Sequence, residues 1–145
     1  MELSCKTEYA LLALLELVGE YNGGEPLQIR RIAEHQNIPD RYLEQLLAIL
    51  RCGGLVRSQR GAKGGYLLSR EPWKITLFDV ISCLEGAESK VSKLDPISKT
   101  VENAVVYDIW SEIHNRYYDM LREYTLQDLY NKRNHKRQLN IMYYI

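Results

Sequence analysis

The chain has 145 residues, of which 46% are hydrophobic and 26% charged, so it can form one hydrophobic core with an appended element and needs no second domain. Its 19 basic and 19 acidic residues cancel, which excludes a global attraction to polyanions, so any nucleic-acid surface must be local. Its three cysteines have no CxxC spacing, which argues against a disulfide framework or a zinc finger.

The N-terminal segment predicts one helix from Lys6 to Tyr21. Its most apolar part, Tyr9 to Val18, is too short to span a bilayer, and no signal-peptide pattern precedes it, so we expect a cytoplasmic protein without membrane contact. Apolar residues fill most of the circumference of this helix, which indicates two packing partners. One is the core of the next segment, and the other comes from later in the chain or from a second copy.

Two short helices separated by a tight turn are predicted next. The first runs from Gln28 to Gln36, because its apolar residues share one face, and Asn37 and Ile38 leave room only for a turn. Two short helices joined in this way are the layout of a helix-turn-helix.

The second helix of this pair begins at Pro39, because proline suits a first helical position, where its missing N–H leaves nothing unpaired. Its core face is a stripe of leucines at helical spacing: Leu43, Leu46, Leu47 and Leu50. Its opposite face carries polar groups on the first two turns, where recognition helices contact base edges: Asp40, Arg41, Glu44 and Gln45. Gly53 and Gly54 are expected to end the helix in the left-handed conformation.

A β-hairpin with a basic tip follows this helix. Leu55–Gln59 and Tyr66–Leu68 can pair across the segment RGAKGG, where three glycines allow positive φ. Arg60 and Lys63 give the tip its charge, and such a tip can lie along a phosphate backbone or enter a minor groove. A nucleotide-binding loop is disfavoured because the segment lacks the GxxxxGK[ST] spacing, whereas a surface hairpin without a partner remains an alternative for the tip alone.

Charge supports a DNA-facing surface in this part of the chain. From Arg41 to Lys63 there are five basic residues and one acidic residue, Glu44, which is the balance expected of a surface that faces phosphates. The helix-turn-helix and the hairpin together predict a winged helix-turn-helix, with double-stranded DNA as its partner.

The next elements predict a short helix and a loop. Thr76 and Asp79 have capping-box spacing, so Leu77 to Leu84 is predicted to be helical, with Gly86 as its end. A polar segment, Ala87 to Ser98, then reads as a loop.

The longest helical pattern runs from Thr100 to Tyr124, about 37 Å at the usual rise per residue. A winged helix of some 70 residues cannot cover its apolar face, whereas two copies of the helix can cover each other, and a twofold protein suits a palindromic operator. The residues expected to form this dimer contact are Val101, Val105, Ile109, Trp110, Ile113, Tyr117 and Met120.

The C-terminal segment begins with a second capping box, Thr125 to Asp128, which opens a short helix predicted to end at Lys132. The basic stretch Asn131–Gln138 is expected to be flexible, and the apolar Leu139–Ile145 is expected to dock on the protein or on its partner subunit.

These elements divide the chain into four parts. Residues 1–86 are predicted to form the winged helix-turn-helix DNA-binding domain, and residues 87–99 a loop. Residues 100–124 form the dimerisation helix, and residues 125–145 a short helix and C-terminal tail. The predicted fold is mainly α with a small β-hairpin wing.

The motifs resemble those of one protein family, the Rrf family (type two) of bacterial winged-helix transcriptional regulators. The similarity extends over SCKTEYALLALLEL, LQIRRIAEHQNIPDRYLEQLLAILRCGGLVRSQRGAKGGYLL, ITLFDVISCLEG and TLQDL, about four fifths of the chain. The combination of YLEQLL, GLV and RGxxGGYLL distinguishes this family from other winged helices.

The resemblance implies a homodimer that binds a partly palindromic operator, with the second helix in the major groove and the wing at the minor groove. By position, Glu44 would read a base, since its carboxylate can accept from cytosine N4, and Arg60 would be the wing arginine. Tyr42 would either contact a phosphate or pack against the core. The complete set expected at the DNA is Gln28, Pro39, Asp40, Arg41, Tyr42, Glu44, Gln45, Arg57, Arg60, Lys63, Gly64 and Gly65.

The chain departs from the family in its loop. Several members hold an iron–sulfur cluster with three closely spaced cysteines there, but residues 87–100 of this chain contain none. We therefore predict no cofactor, and the motifs do not identify an effector. An iron–sulfur or thiol redox sensor with atypical ligands, Cys83 and Glu8, is one alternative; in the other reading Cys83 packs and Glu8 is an exposed helix residue.

An enzyme is not predicted. The three histidines lie far apart in the pattern, and neither a Ser/His/Asp arrangement nor a carboxylate pair is present. The remaining alternative is a protein-interaction module, in which the long helix and the tail bind a metabolic enzyme.

Overall fold

A computed structural model describes residues 3–86 and 100–143, so the loop predicted over residues 87–99 lies outside the described residues. Within that part of the chain the helices are α1 (Cys5–Gly19), α2 (Ile29–Gln36), α3 (Asp40–Cys52), a 3-10 turn (Pro72–Lys74), α4 (Leu77–Glu85), α5 (Val101–Glu123) and α6 (Leu126–Tyr143). Two antiparallel strands, β1 (Val56–Gln59) and β2 (Gly65–Leu68), form the sheet. The structure confirms the predicted mainly helical fold with a small hairpin.

The core lies beneath α3 and is built largely from leucines. The predicted leucine stripe is buried, with Leu43, Leu47 and Leu50 fully inaccessible and Leu46 1% exposed. These side chains pack against buried residues of α1, such as Leu14, and of α4, such as Val80. Each fully buried leucine contributes about 1.5–3 kcal/mol, so this stripe fixes the rotation of α3 about its own axis.

Helix α1 has the two packing partners that its composition predicts. It contacts α2, α3, α4 and β2 of the winged helix and also α6. Near its C-terminus, a Cβ on Gly19 would lie 3.6 Å from the Tyr130 ring of α6, an ordinary packing distance. The second partner of α1 is therefore a later segment of the same chain.

The wing is attached directly to the segment before α2. Leu27 and Tyr66 exchange backbone hydrogen bonds of 3.0 and 2.8 Å, which adds a third short stretch of extended chain beside β2. Gly65 makes this approach close, because a Cβ there would collide with the Leu27 backbone. The hairpin and the helix-turn-helix are consequently one unit.

Two helix starts, those of α4 and α6, lie side by side. Both predicted capping boxes are present: Thr76 Oγ1 accepts from the Asp79 N–H at 3.1 Å, and Thr125 Oγ1 accepts from the Asp128 N–H at 3.2 Å. Backbone hydrogen bonds of 2.9 Å join Leu77 to Tyr124 and Leu126 to Ile75. Leu126 is fully buried at this junction, which fixes where α5 ends and α6 returns to α1.

The C-terminal helix is longer than predicted. It continues past Lys132 to Tyr143, so the expected flexible stretch is helical. Neither glycine nor proline interrupts this segment, and its lysines, arginines, glutamine and leucine favour helix. The described part of its apolar end does not dock on the rest of the described chain, since Ile141 is 60% and Met142 73% exposed.

Two end residues of α3 also differ from expectation. Pro39 is the N-cap rather than the first helical residue, with φ −58° and ψ 130°, so α3 begins at Asp40. At the other end Gly53 has φ −79°, and only Gly54, with φ +77°, takes the left-handed conformation.

No described helix has the length and apolarity that would let it cross a membrane.

Replacing Gly65 with alanine is predicted to destabilise the protein more than replacing Gly24. Both glycines have positive φ, +155° and +66°, but Gly24 lies in open space whereas a Cβ on Gly65 would collide with Leu27. Gly24→Ala should cost only the roughly 1–2 kcal/mol of a left-handed residue, and Gly65→Ala should cost more. Urea unfolding of both variants measures the difference, and equal losses would contradict a tight attachment of the wing.

Candidate nucleic-acid interface

The outer face of α3 presents polar side chains that have no partner within the described chain. Asp40, Arg41, Glu44 and Gln45 are all exposed, and among the described residues none of their side chains forms a hydrogen bond or an ion pair. Since the leucine face is buried, this face cannot turn inward. Its donors and acceptors are available to a molecule in front of the helix.

The wing tip presents a second group of unpaired charges. Arg57, Arg60 and Lys63 are exposed and form no side-chain ion pair with any described residue. Gly61 has φ +113°, and the Gly64 N–H donates to the Gly61 carbonyl at 2.9 Å, which closes the tip into a tight turn. The tip is therefore both basic and compact.

The three glycines of the wing are required for different structural reasons. Gly61 and Gly65 adopt positive φ, as predicted, whereas Gly64 does not. A Cβ on Gly64 would instead collide with the carbonyl oxygen of Gln59. Gly61 therefore depends on its φ, Gly64 on the close approach of backbone, and Gly65 on both.

A cleft of about 580 Å³ separates the wing from the start of α2. Gln28, Arg31 and Lys63 contribute to its lining. Gln28 is the N-cap of α2 and makes no side-chain capping hydrogen bond, so the first backbone N–H groups of α2 have no cap. Uncapped N–H groups beside two cationic side chains suit an anion such as a phosphate.

Sequence reasoning missed Arg31. The available signal was its place on the polar side of α2, opposite the buried Ile32 and Ala33, next to the predicted residue Gln28. The periodicity of α2 could show that Arg31 is exposed. It could not show that the wing lies across from it.

Tyr42 packs against the scaffold. Its ring meets the Tyr9 ring of α1 edge to face, with centroids 5.6 Å apart and an angle of 78°. Tyr42 is half-buried, so the structure shows the contact with the core that one of the two predictions for Tyr42 requires. A phosphate contact through its hydroxyl stays a prediction.

The predicted dimerisation face of α5 is exposed in a single chain. Its exposed large apolar residues include Val101, Val105, Val106, Ile109, Trp110, Ile113 and Met120, with exposures from 46% to 77%. Tyr117 is half-buried, and burial raises the pKa of its hydroxyl, with a further contribution from the nearby Glu85 carboxylate. Contiguous apolar surface of this kind usually marks an interface.

A small aromatic cluster holds α5 against α4. The Phe78 ring contacts the Tyr118 ring edge to face at 5.4 Å, and the Arg122 guanidinium lies 3.9 Å from the Phe78 centroid. These contacts leave the apolar face of α5 uncovered.

Cys83 and Glu8, the two atypical ligand candidates, do not meet a third potential ligand among the described residues. Cys83 is half-buried and donates a hydrogen bond to the Ile49 carbonyl at 3.4 Å, while Cys5, Cys52 and Glu8 are exposed. Within residues 3–86 and 100–143, no three His, Cys, Asp or Glu side chains come together as potential metal ligands. The sequence shows that the intervening loop adds no cysteine.

Comparison with known proteins identifies relatives over nearly the whole chain. A family model named Rrf2, described as an iron-dependent transcriptional regulator, matches residues 3–132. The HTH-type transcriptional regulator CymR of Bacillus subtilis is 39% identical over 129 residues, which cover 89% of this chain and 89% of that protein.

Solved structures agree with the sequence match. T. potens IscR superposes with a TM-score of 0.73 and 36% identity, over 91% of this chain and 88% of that one. The structure of CymR, described as the global cysteine regulator of B. subtilis, also has a TM-score of 0.73 with 36% identity, over 91% of this chain and 98% of that one.

Cys83 is predicted to react with iodoacetamide more slowly than Cys5 or Cys52. Burial raises the pKa of the Cys83 thiol, and the neighbouring Cys52 adds to the effect, so less of the reactive thiolate is present at pH 8. Alkylation of the wild-type protein for increasing times, followed by mass spectrometry of its peptides, measures the rate at each cysteine. Raising the pH should speed Cys83 most at values above the ordinary thiol pKa. If Cys83 were the fastest thiol at pH 8, its assigned environment would be wrong.

Proposed function

Because the chain belongs to the Rrf2 family of transcriptional regulators, we propose that it binds a partly palindromic operator as a homodimer, with α3 in the major groove and the wing at the minor groove. The coarser conclusion, a DNA-binding transcriptional regulator with a winged helix and no enzymatic activity, follows from the family and the fold.

One observation carries the proposal. The polar face of α3 and the basic wing tip are both exposed, and their charged side chains have no partners among the described residues. A formally neutral chain that gathers unpaired positive charge beside a helix-turn-helix has the local charge that a phosphate backbone requires.

The proposed roles follow from side-chain chemistry. Glu44 accepts from cytosine N4, and Arg41 and Gln45 serve neighbouring bases or phosphates. A good bidentate base contact contributes about 1–3 kcal/mol of discrimination, so a few such residues suffice for specificity. Asp40 borders this set.

Phosphate contacts are assigned to the wing and to the cleft beside α2. Arg57, Arg60 and Lys63 supply positive charge from the wing. Gln28 and the uncapped start of α2 supply backbone N–H donors, as helix N-termini do at many phosphate sites.

A second copy of the chain is the proposed cover for α5. Fully burying a large apolar side chain contributes about 1.5–3 kcal/mol. In a twofold dimer each face counts twice, so the exposed residues of α5 together can contribute on the order of 20 kcal/mol. This exceeds the roughly 4–15 kcal/mol that association costs. A metabolic enzyme as the partner of α5 is the competing occupant of the same face.

Substituting Glu44 with alanine is predicted to relax operator preference. The variant should lose about 1–3 kcal/mol of discrimination at one base pair in each half-site while it still binds non-specific DNA. Selection of bound fragments from a random-sequence library measures the preference. An unchanged preferred sequence would remove Glu44 from base reading.

Substituting Arg60 or Lys63 with alanine is predicted to weaken binding to all sequences alike. Each loss of a phosphate contact should lower the slope of log affinity against log salt by about 0.9. Lys74→Ala is the matched control, because Lys74 pairs with Glu71 at 3.7 Å and follows β2, at the opposite end of that strand from the wing tip. If Lys74→Ala and Lys63→Ala had the same salt slope, the wing would have no special role.

Substituting Ile109 with glutamate is predicted to convert the dimer to a monomer of 16.9 kDa. Ile109 is 53% exposed in the single chain, so the charge should not disturb its fold but should oppose burial against a second copy. Asn115→Glu is the control, because Asn115 is also exposed and lies about 120° around α5 from Ile109 by helical periodicity. Light scattering after size exclusion measures the mass, and a dimer in both variants would favour another occupant.

A further inference from the structure

A second cleft, of about 530 Å³, lies between α1, α2 and α6. Leu15, Leu27 and Tyr130 give it an apolar lining. Its volume falls in the range of small-molecule sites, about 300–1,000 Å³. Leu27 and Arg31 also line the cleft beside the wing, and the other residues of this cleft have no assigned role at the DNA.

Two acidic residues of the lining are already paired. Glu16 Oε1 lies 2.5 Å from His35 Nδ1 and also accepts from the Gln36 side-chain amide. Glu34 pairs with Arg30 at 3.2 Å. Both carboxylates thus already have a partner within the protein, although the Glu34–Arg30 pair is exposed.

Three charged residues of the lining remain available: Glu20, Arg31 and Arg133. Among the described residues, none of their side chains has a hydrogen-bond or ion-pair partner. Arg133 only stacks over the Tyr130 ring, at 5.1 Å from its centroid. One carboxylate and two guanidinium groups thus share a cleft with apolar side chains.

We propose that this cleft binds a small amino-acid-like zwitterion. Arg31 and Arg133 hold its carboxylate, Glu20 holds its ammonium group, and its side chain packs on Leu15, Leu27 and Tyr130. A simple anion would leave the Glu20 carboxylate without a partner, and a simple amine would leave both arginines without one. A ligand with both groups therefore matches the three unpaired charges best.

The position of Arg31 gives the site a regulatory consequence. Arg31 lines this cleft and also the cleft between α2 and the wing that is assigned to phosphate. A bound carboxylate that holds Arg31 withdraws it from the DNA side, so ligand and operator should weaken each other's binding by the same factor. This consequence rests on the proposed DNA-binding function, whereas the site itself does not.

The site is tested on the full-length protein without DNA. Each of the twenty standard L-amino acids is added at millimolar concentration, and thermal stability identifies binders for calorimetric titration. At least one should bind, and its des-amino acid and its decarboxylated amine should each bind at least about tenfold more weakly. If none of the twenty bound, or if the des-amino acid bound equally well, the zwitterion site would be excluded.

Two variants locate the binding. Glu20→Gln and Arg133→Ala should each weaken the titrated ligand by about tenfold or more. Arg137→Ala, an exposed arginine of α6 outside the lining, is the matched control and should bind as the wild type does. Wild-type affinity in both cleft variants would place the ligand elsewhere and overturn the proposal.

The regulatory consequence has a separate readout. Saturating ligand should weaken operator binding by the wild type, and Arg31→Ala should abolish this response. Ligand binding without any change in DNA affinity would refute the coupling, but the proposed ligand site would stand. Failure of the ligand-free protein to bind DNA would refute the proposed function, while the titrations would still decide the site.

Discussion

Burial of the leucine face of α3 is the constraint on which the rest of the structure depends. Leu43, Leu46, Leu47 and Leu50 lie against α1 and α4, so rotating α3 would cost most of their burial free energy. The opposite face must then face solvent with its polar groups unpaired. The hydrogen bonds between Leu27 and Tyr66 hold the wing to the same unit, so the polar face of α3 and the basic tip keep a fixed relation.

The same core leaves α5 incomplete. Helix α4 and the junction at Leu126 hold the C-terminal part of α5, but its apolar face has no cover within the described chain. A single chain therefore has a well-packed winged helix-turn-helix joined to a helix whose apolar face is exposed. We propose that a second copy covers the apolar face of α5 and also supplies the second winged helix-turn-helix that a palindromic operator needs.

Local features could be predicted from the sequence, and features set by distant contacts could not. The leucine stripe and both capping boxes depend on residues within one or two turns, and the structure has them as predicted. The predicted end of α6 at Lys132 was wrong, because the polar composition of the residues after it suggested a flexible tail. Packing of Tyr130 beside Gly19, about 110 residues away in sequence, is invisible to periodicity. Arg31 was missed for the same reason, since its importance depends on where the wing and α6 lie.

DNA reading by two copies of α3 is tested by recovery of genomic DNA fragments with the purified full-length protein at moderate salt. We expect enrichment of a few fragments that share an inverted repeat, with half-site centres about 10–10.5 base pairs apart or a multiple of that spacing. Recovery of no preferred fragment, or of one without twofold symmetry, would contradict a dimer that reads DNA through two copies of α3.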